Sequence, residues 1–205
     1  MSATAPTEWV LQLLKRTEAL LEGHFLLSSG LHSDRYFQCA RLLQHPRRAA
    51  RVGRALGDLC RPFGAQLVVS PALGGVVIGH EVGRALGVRA IFTEREQGIM
   101  RLRRGFTIAD GERVLVVEDV VTTGKSTLEA AFAVTAAGGV VVGLASIVDR
   151  SGGVGFPYPF RSLLQLKVAT YAPEVCPLCR AGKQPAIKPG SRQTAPCGTE
   201  GGGLA

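Results

Sequence analysis

The most constraining feature of the sequence is the run over residues 113–128, RVLVVEDVVTTGKSTL. Residues 114–117 form a continuous apolar stretch, which is typical of a strand buried on both faces of a parallel sheet. Glu118 and Asp119 follow at the carboxyl end of that strand, where open α/β sheets bind their ligands. The run therefore predicts a ligand site between a strand and the helix after it.

Hydroxyl side chains and a glycine come next, and they predict a phosphate-binding turn. Backbone N–H groups in a turn that leads into a helix can point at one anion, and the positive end of the helix dipole favours that anion further. Acceptors for sugar hydroxyls beside donors for phosphate oxygens suit a sugar phosphate. The residues of this turn are Thr122, Thr123, Gly124, Ser126 and Thr127.

Three other interpretations of the run are weaker. Gly124, Lys125 and Ser126 could end a Walker A loop, but that motif needs glycine where Asp119 stands. An ordinary turn before a capped helix would explain the hydroxyls but not the carboxylates. Two adjacent acids could suggest a glycosidase, but successive side chains on a strand diverge and cannot flank one bond.

Two acids, two small apolar residues, Thr-Thr-Gly and a hydroxyl-rich helix start resemble the phosphoribosyl diphosphate motif of the type I phosphoribosyltransferases. Two further segments, residues 23–37 (GHFLLSSGLHSDRYF) and 148–150 (VDR), resemble the orotate phosphoribosyltransferases of that family. The resemblance covers roughly residues 7 to 180.

This resemblance implies a transferase reaction of pyrimidine biosynthesis. The 5-phosphoribosyl group of 5-phospho-α-D-ribose 1-diphosphate would pass to orotate, giving orotidine 5′-phosphate and diphosphate on the de novo route to UMP. The alternatives are a phosphoribosyltransferase for another base and a non-catalytic regulator that senses the diphosphate. Mg²⁺ is the implied cofactor, bound mainly through the diphosphate and without a protein metal site.

The resemblance also implies roles for individual residues. Glu118 and Asp119 would hold the ribose hydroxyls and favour the positive charge that develops on the sugar, and with Arg95 they are the implied catalytic residues. The orotate contacts would be Thr122, Arg150, Tyr36 and Phe37. The full implied set for phosphoribosyl diphosphate is Leu73, Gly74, Arg95, Glu118, Asp119, Val120, Val121, Thr122, Thr123, Gly124, Lys125 and Ser126.

Two features of the implied orotate site follow from side-chain chemistry. The planar fork of Arg150 could pair with the orotate carboxylate through two hydrogen bonds. Tyr36 and Phe37 would form a wall on the base side, and the resemblance implies that their backbone contacts orotate. Packing of the two rings in a core is the alternative.

Residues 70–76 (SPALGGV) predict a second phosphate loop, because a strand end again leads into a helix and paired glycines let the backbone approach a ligand. Close packing of helix on sheet is the alternative. Gly74 stands where relatives can have lysine, and Ser28 stands where some have a diphosphate-binding lysine. Positive charge for the diphosphate would then come from elsewhere.

The arginine-rich residues 93–105 are the expected source of that charge. By resemblance they form a flexible lid that can reach the neighbouring subunit of a homodimer, and a solvated hairpin is the alternative. Arg95 is the best match to a basic position of the family. The other candidates are Arg101, Arg103 and Arg104.

Composition narrows the class of protein. A formal charge of +8 with 6% aromatic residues favours an anionic small substrate over nucleic acid, since no base-stacking platform is recognisable. No apolar run approaches the roughly 20 residues of a membrane span, and the start lacks the pattern of a signal peptide. An odd set of five cysteines fits a reducing compartment, and we expect a cytoplasmic protein.

Cys176 and Cys179 have the spacing of metal-binding cysteines. A structural zinc ion needs about four ligands, yet Cys197 is the sole further cysteine downstream and no histidine follows, so a site would need distant or intermolecular ligands. We therefore favour reduced structural thiols.

The alternation of helical and strand periodicity predicts an α/β fold with a doubly wound, mostly parallel sheet flanked by helices. Residues 1–180 would form one phosphoribosyltransferase domain, in which residues 1–40 contribute a small hood on the base side. Residues 181–205 are expected to be a flexible tail. Predicted helices cover 7–22, 46–60, 75–86 and 124–137, and predicted strands cover 67–70, 88–92, 114–117, 140–148 and 161–168.

Overall fold

The computed structural model describes residues 6–27, 29–182 and 184–189. The helices are α1 (Pro6–Arg16), α2 (Ala40–Leu43), α3 (Pro46–Cys60), α4 (Gly74–Leu86), α5 (Lys125–Ala136) and α6 (Pro177–Ala181). The strands are β1 (Leu20–Leu26), β2 (His32–Phe37), β3 (Leu67–Pro71), β4 (Arg89–Glu96), β5 (Ile99–Leu102), β6 (Arg113–Val121), β7 (Val140–Asp149), β8 (Phe160–Gln165) and β9 (Thr170–Tyr171). Ser28 and most of the predicted tail, residues 190–205, lie outside the described residues.

The chain divides into two compact units. Unit 1 comprises Met1–Leu21 and Phe37–Val168, and unit 2 comprises Glu22–Tyr36 and Ala169–Ala205. The hairpin of the expected hood therefore shares its unit with the C-terminal segment, and α1 belongs to unit 1.

Unit 1 is built on a six-stranded sheet with the order β5-β4-β3-β6-β7-β8. All pairs are parallel except β4–β5, which is an antiparallel hairpin. The chain winds outward from β3 through β4 on one side and from β6 through β7 on the other, so the strand order reverses between β3 and β6. This confirms the predicted doubly wound α/β fold, with its ligand crevice expected at that reversal.

The core of unit 1 lies on both faces of this sheet. Leu115 and Val117 of β6 pack in a cluster with side chains of α1, α3 and α4. Val114 and Val116 pack in a second cluster with side chains of α5. Alternate residues of one apolar run thus serve two cores, which confirms that this strand is covered on both faces.

The predicted opening helix is too long. Helix α1 ends at Arg16, where Thr17 Oγ1 donates to the carbonyl of Leu13 at 2.8 Å and Glu18 takes a left-handed φ of 52°. Leu20 and Leu21 continue the helical spacing in the sequence, yet they begin β1. Pairing in a sheet decided their conformation, which short-range apolar spacing does not encode.

Unit 2 contains a small sheet with the order β1-β2-β9. Strand β9 pairs antiparallel with β2, and Ser33 Oγ donates to the carbonyl of Ala169 at 2.9 Å. Farther along the chain, Ile187 forms an isolated parallel bridge with Phe25 of β1. The C-terminal segment therefore pairs with both strands of the N-terminal hairpin.

None of the helices in the described part of the chain has the length and apolar character that crossing a membrane requires.

Replacing Leu56 with Ala should lower the free energy of unfolding by about 2–5 kcal/mol, because Leu56 of α3 is fully buried and the change leaves a cavity. Leu59→Ala is the matched control on the same helix, since Leu59 is 38% exposed. That change should cost about 0.5 kcal/mol or less. Urea unfolding followed by circular dichroism measures both, and equal losses would contradict the packing assigned to α3.

Candidate functional site

The candidate site lies where β3 and β6 separate. Their parallel pairing is recorded from Leu67–Val114 to Val69–Val116, while both strands continue beyond it. Helix α4 starts in this opening, and a Cβ atom on Gly75 would lie 3.0 Å from the Val117 carbonyl oxygen. The crevice is therefore formed by the ends of two adjacent strands and the start of one helix.

The two predicted phosphate-binding segments meet at Asp119. A Cβ atom on Gly74 would lie 2.7 Å from Asp119 Oδ1, so the 70–76 loop touches the acid at the end of β6. Gly74 is the first residue of α4, and Leu73 before it has an 87% exposed side chain. Because a side chain at position 74 would collide with Asp119, glycine at this position fits the close approach.

Burial disfavours ionisation of both acids. It raises the pKa of Glu118 to about 7, a hydrogen bond donated by the Thr127 hydroxyl opposes this rise, and the charge of Asp119 adds to it. Burial likewise raises the pKa of Asp119, against hydrogen bonds from the backbone N–H groups of Val120 and Asp119 itself. A cationic or hydroxyl-bearing ligand placed here would favour the ionised acids.

The turn after β6 has the geometry of an anion cradle. Gly124 takes a left-handed φ of 75° just before α5, and the Lys125 N–H donates to Thr123 Oγ1 at 3.4 Å. Thr122 and Thr123 are exposed, and the first turn of α5 presents N–H groups that have no acceptor inside the helix. These groups lie at the positive end of a 12-residue helix and can bind a phosphate.

Phe156 is a neighbour of this turn that sequence reasoning missed. A Cβ atom on Gly124 would lie 2.6 Å from its ring, so the segment between β7 and β8 packs over the turn. The glycine-rich stretch SGGVGFPYPF over residues 151–160 is the sequence signal that a close-packed loop lies there.

Three of the four arginines of the expected lid lie in ion pairs. Strand β4 extends four residues beyond its predicted end, so residues 93–102 form the β4–β5 hairpin. The Arg95 guanidinium pairs with Glu129 of α5 and donates to the Gly98 carbonyl at 2.6 Å. Arg104 forms a two-pronged pair with Glu94, at 2.7 and 2.8 Å, and Arg103 lies 3.3 Å from Glu96.

Arg150 lies at the same edge of the sheet as the phosphate turn. Its N–H donates to the carbonyl of Val121 at 2.9 Å, which fixes the end of β7 beside the end of β6. The predicted orotate residues Arg150 and Thr122 therefore start from neighbouring strand ends.

The two predicted aromatic contacts belong to different units. Phe37 is 7% exposed and its ring packs in the core of unit 1. Of the predicted contacts of Phe37 with orotate, the structure therefore favours the one through its backbone. Tyr36 belongs to unit 2, is half-buried, and places its ring 5.9 Å from that of Phe25.

A cluster of metal-ligating side chains occupies unit 2. The ligand atoms of His24, His32, Cys176 and Cys179 all lie within 4.8 Å of one another. Folding brings two histidines of the N-terminal hairpin to the cysteine pair, and these are distant ligands of the kind that a metal site was expected to need. The sequence signals for this cluster were the spacing of the two cysteines and the presence of two histidines in segment 23–37. Nothing in the sequence indicated that these two signals belong to the same cluster.

Comparison with known proteins identifies relatives over most of the chain. The sequence model of the phosphoribosyl transferase domain matches residues 38–166. The orotate phosphoribosyltransferase of Heliobacterium modesticaldum is 56% identical over 186 residues, which cover 89% of this chain and 97% of the relative.

Solved structures agree with these matches. Mycobacterium tuberculosis orotate phosphoribosyltransferase in complex with inorganic phosphate has a TM-score of 0.66 at 30% identity and covers 80% of this chain and 97% of its own. The same bacterium's enzyme in complex with 5-phospho-α-D-ribosyl 1-diphosphate has a TM-score of 0.62 at 26% identity, with coverages of 81% and 92%.

Replacing Glu118 with Gln should remove a pH-dependent loss of stability. Because the pKa of Glu118 rises from 4.5 to about 7 on folding, the native state keeps a proton that the unfolded state releases. The free energy of unfolding of the wild type should therefore fall, relative to the variant, as pH rises from 4.5 to 7. Urea unfolding across this range measures the difference, with Glu8→Gln at an exposed position as the control. A difference that does not change with pH would contradict the raised pKa.

Proposed function

This chain belongs to the orotate phosphoribosyltransferases of the phosphoribosyl transferase family, and we propose that it transfers the 5-phosphoribosyl group of 5-phospho-α-D-ribose 1-diphosphate to orotate. The products are orotidine 5′-phosphate and diphosphate, and the reaction belongs to pyrimidine biosynthesis. The observation that carries the proposal is the match to an orotate phosphoribosyltransferase over 97% of its length.

The shape of the crevice supports this donor substrate. The 5-phosphate would bind in the turn before α5, the ribose hydroxyls would face Glu118 and Asp119, and the diphosphate would lie against the 70–76 loop. The contact between Gly74 and Asp119 places the acids at the junction of the two loops. A ligand with a phosphate at each end and hydroxyls between them matches this order of groups.

Electrostatics would supply most of the catalysis. As the bond between C1 and the diphosphate oxygen breaks, positive charge develops on the ribose and the bonding electrons leave with the diphosphate, while a ring nitrogen of orotate attacks C1. Ionised Glu118 and Asp119 would stabilise the cationic sugar. Because the pKa of Glu118 is raised to about 7, this acid must lose its proton before it can offer a negative charge to the cationic sugar.

We propose Mg²⁺ as the cofactor. Carboxylate and diphosphate oxygens are the hard ligands that it prefers, which fits the chemistry of Glu118 and Asp119. Among the described residues, these two acids do not belong to a group of three or more potential metal ligands, so the diphosphate would supply most of the coordination. When bound, the ion would neutralise charge on the leaving group.

Arg95 would act on the diphosphate after a change of partner. Its β4 position is two residues beyond Thr93, which pairs with Pro71 at the start of the diphosphate loop. Its present partner is Glu129, so the guanidinium must leave that carboxylate to reach a substrate. Exposed ion pairs are weak, and a diphosphate carries more charge than one carboxylate.

Orotate would bind beside the end of β7. The Arg150 guanidinium would pair with the orotate carboxylate, Thr122 would contact the base, and the backbone of Phe37 would lie on the base side. The hydrogen bond from the Arg150 N–H to the Val121 carbonyl supports the first two assignments, because it holds Arg150 at the edge where the phosphate turn begins.

We further propose a cytoplasmic homodimer with the arginine hairpin near the shared surface. Ile99 and Phe132 are 55% and 73% exposed, and with Leu128 they line one groove beside the hairpin. Apolar side chains grouped in this way favour a protein partner. The odd set of five cysteines in the sequence supports a reducing compartment.

The first experiment is a spectrophotometric assay of orotate consumption with phosphoribosyl diphosphate and Mg²⁺, omitting each component in turn. Loss of orotate that needs the protein, phosphoribosyl diphosphate and Mg²⁺, with orotidine 5′-phosphate as product, supports the proposal. Turnover of uracil, hypoxanthine or adenine in place of orotate would identify another base. Binding of the diphosphate without turnover of any base would identify a regulator.

Replacing Asp119 with Asn should lower kcat/KM by about 10²–10³-fold, because the variant removes a charge that stabilises the cationic sugar. Asp58→Asn, which changes an exposed acid at the end of α3, is the matched control and should leave activity unchanged. Steady-state assays with circular dichroism of both variants separate a catalytic loss from unfolding. An unchanged kcat/KM in Asp119→Asn would remove its assigned role.

Variants of Arg95 and Glu129 should move the KM for phosphoribosyl diphosphate in opposite directions. Arg95→Ala should raise KM, since it deletes the proposed diphosphate contact, while Glu129→Gln should lower it by up to about fivefold, since it releases Arg95 from an exposed ion pair. Arg61→Ala, which breaks the pair with Asp58, is the control. Equal increases in both variants would show that the ion pair itself, and not free Arg95, serves the reaction.

A further inference from the structure

Unit 2 gathers two histidines and two cysteines around one point. His24 comes from β1, His32 from β2, Cys176 directly precedes α6, and Cys179 lies within α6. Their ligand atoms all lie within 4.8 Å of one another. We propose that these four side chains hold one Zn²⁺ ion in a structural Cys₂His₂ site that joins the C-terminal segment to the N-terminal hairpin.

The spacing of the ligand atoms fits tetrahedral zinc. Zn–N bonds of about 2.0 Å and Zn–S bonds of about 2.3 Å put the ligand atoms of a tetrahedron about 3.3 to 3.8 Å apart. The sulfur atoms of Cys176 and Cys179 lie 3.7 and 3.6 Å from His24 Nε2, and Cys179 Sγ lies 3.2 Å from His32 Nδ1. The two ring nitrogens are 2.8 Å apart and the four ligand atoms spread over up to 4.8 Å, so an ion requires the nitrogens to separate by about half an ångström and the most distant ligand atoms to move closer.

The hydrogen bonding of His24 fixes the ring for metal binding. Its Nδ1 lies 2.9 Å from the carbonyl oxygen of Gln184, and since a carbonyl can only accept, Nδ1 carries the hydrogen. In the neutral ring, Nε2 then has a lone pair, and this lone pair points at His32 and the two sulfurs. A backbone carbonyl that orients a ligating histidine in this way is the usual second layer of a protein zinc site.

The small apolar content of unit 2 gives the ion a structural task. Its buried described residues are His24, Phe25, His32, Ser33 and Cys176. Three of these five are members of the cluster, so the centre of the unit consists largely of metal-ligating groups. Units this small bury too little apolar surface to be stable by packing alone, and a bound metal is one of the standard supplements.

The donor set selects the metal and the class of site. Two sulfurs and two imidazole nitrogens in a tetrahedron favour Zn²⁺ over the oxygen-seeking Mg²⁺ or Ca²⁺. Four protein ligands complete its coordination and leave no position for a substrate, which marks a structural site. Binding would replace the two thiol protons, so one Zn²⁺ enters as two H⁺ leave.

The proposal does not depend on the transferase activity and is tested without it. The full-length chain, expressed with zinc in the medium and purified without chelator, should contain one zinc per chain by mass spectrometry of the elements. Cys179→Ser and His32→Gln should reduce this content to background. His80→Gln, at an exposed position of α4, and Cys60→Ser, at a thiol of unit 1, are the matched controls and should keep it.

A second measurement uses only the wild-type chain, so the proposal can be tested even if the variants fail to fold. Removal of the metal with a chelator and addition of Co²⁺ should produce the visible bands of tetrahedral cobalt with thiolate charge transfer, and Zn²⁺ should then displace them. Zinc should also raise the melting temperature of the chelated chain and slow alkylation of Cys179. Absence of zinc together with absence of the cobalt bands would overturn the proposal, as would a wild-type disulfide between Cys176 and Cys179.

Discussion

The parallel pairing of β3 with β6 is the constraint on which the rest of unit 1 depends. It brings two strand ends to one edge, and because the strand order reverses there, no crossover covers the gap between them. Helix α4 starts so close to the end of β6 that a Cβ atom on Gly74 would collide with the Asp119 carboxylate. The apolar cores on both faces of the sheet hold these strands in place. Their packing free energy offsets the free-energy cost of burying two acids at the strand end.

The acids show how such a crevice prepares for its ligand. Burial raises the pKa of Glu118 and of Asp119, which means that the protein surroundings alone disfavour the charges that the proposed reaction needs. In the proposed reaction, a developing cation on the sugar would supply the missing compensation at the moment of bond breaking. Arg95 would be held in a similar way, because its charge is paired with Glu129 on the surface and would have to leave that partner to reach the proposed diphosphate.

Unit 2 is stabilised by different means. Its centre holds imidazoles and thiols in the place of an aliphatic core, and its chain segments come from opposite ends of the sequence. Backbone pairing of Ile187 with β1 and of β9 with β2 aligns these segments. A metal ion would add the one strong interaction that such a small unit otherwise lacks, and it would connect residues that are about 150 positions apart, such as the Cys179–His24 pair.

The sequence by itself determined the central strand, the acids at its end, the glycine before α5 and the doubly wound class, because each depends on local periodicity or on a short motif. It also indicated the second phosphate loop, although not its contact with Asp119, since that contact depends on which strands become neighbours. Tertiary structure alone decided that Leu20 and Leu21 enter a strand, that Arg95 pairs with Glu129, and that Phe156 covers Gly124. It also decided that His24 and His32 join the cysteine pair, because neither spacing nor propensity records a meeting between the two ends of a chain.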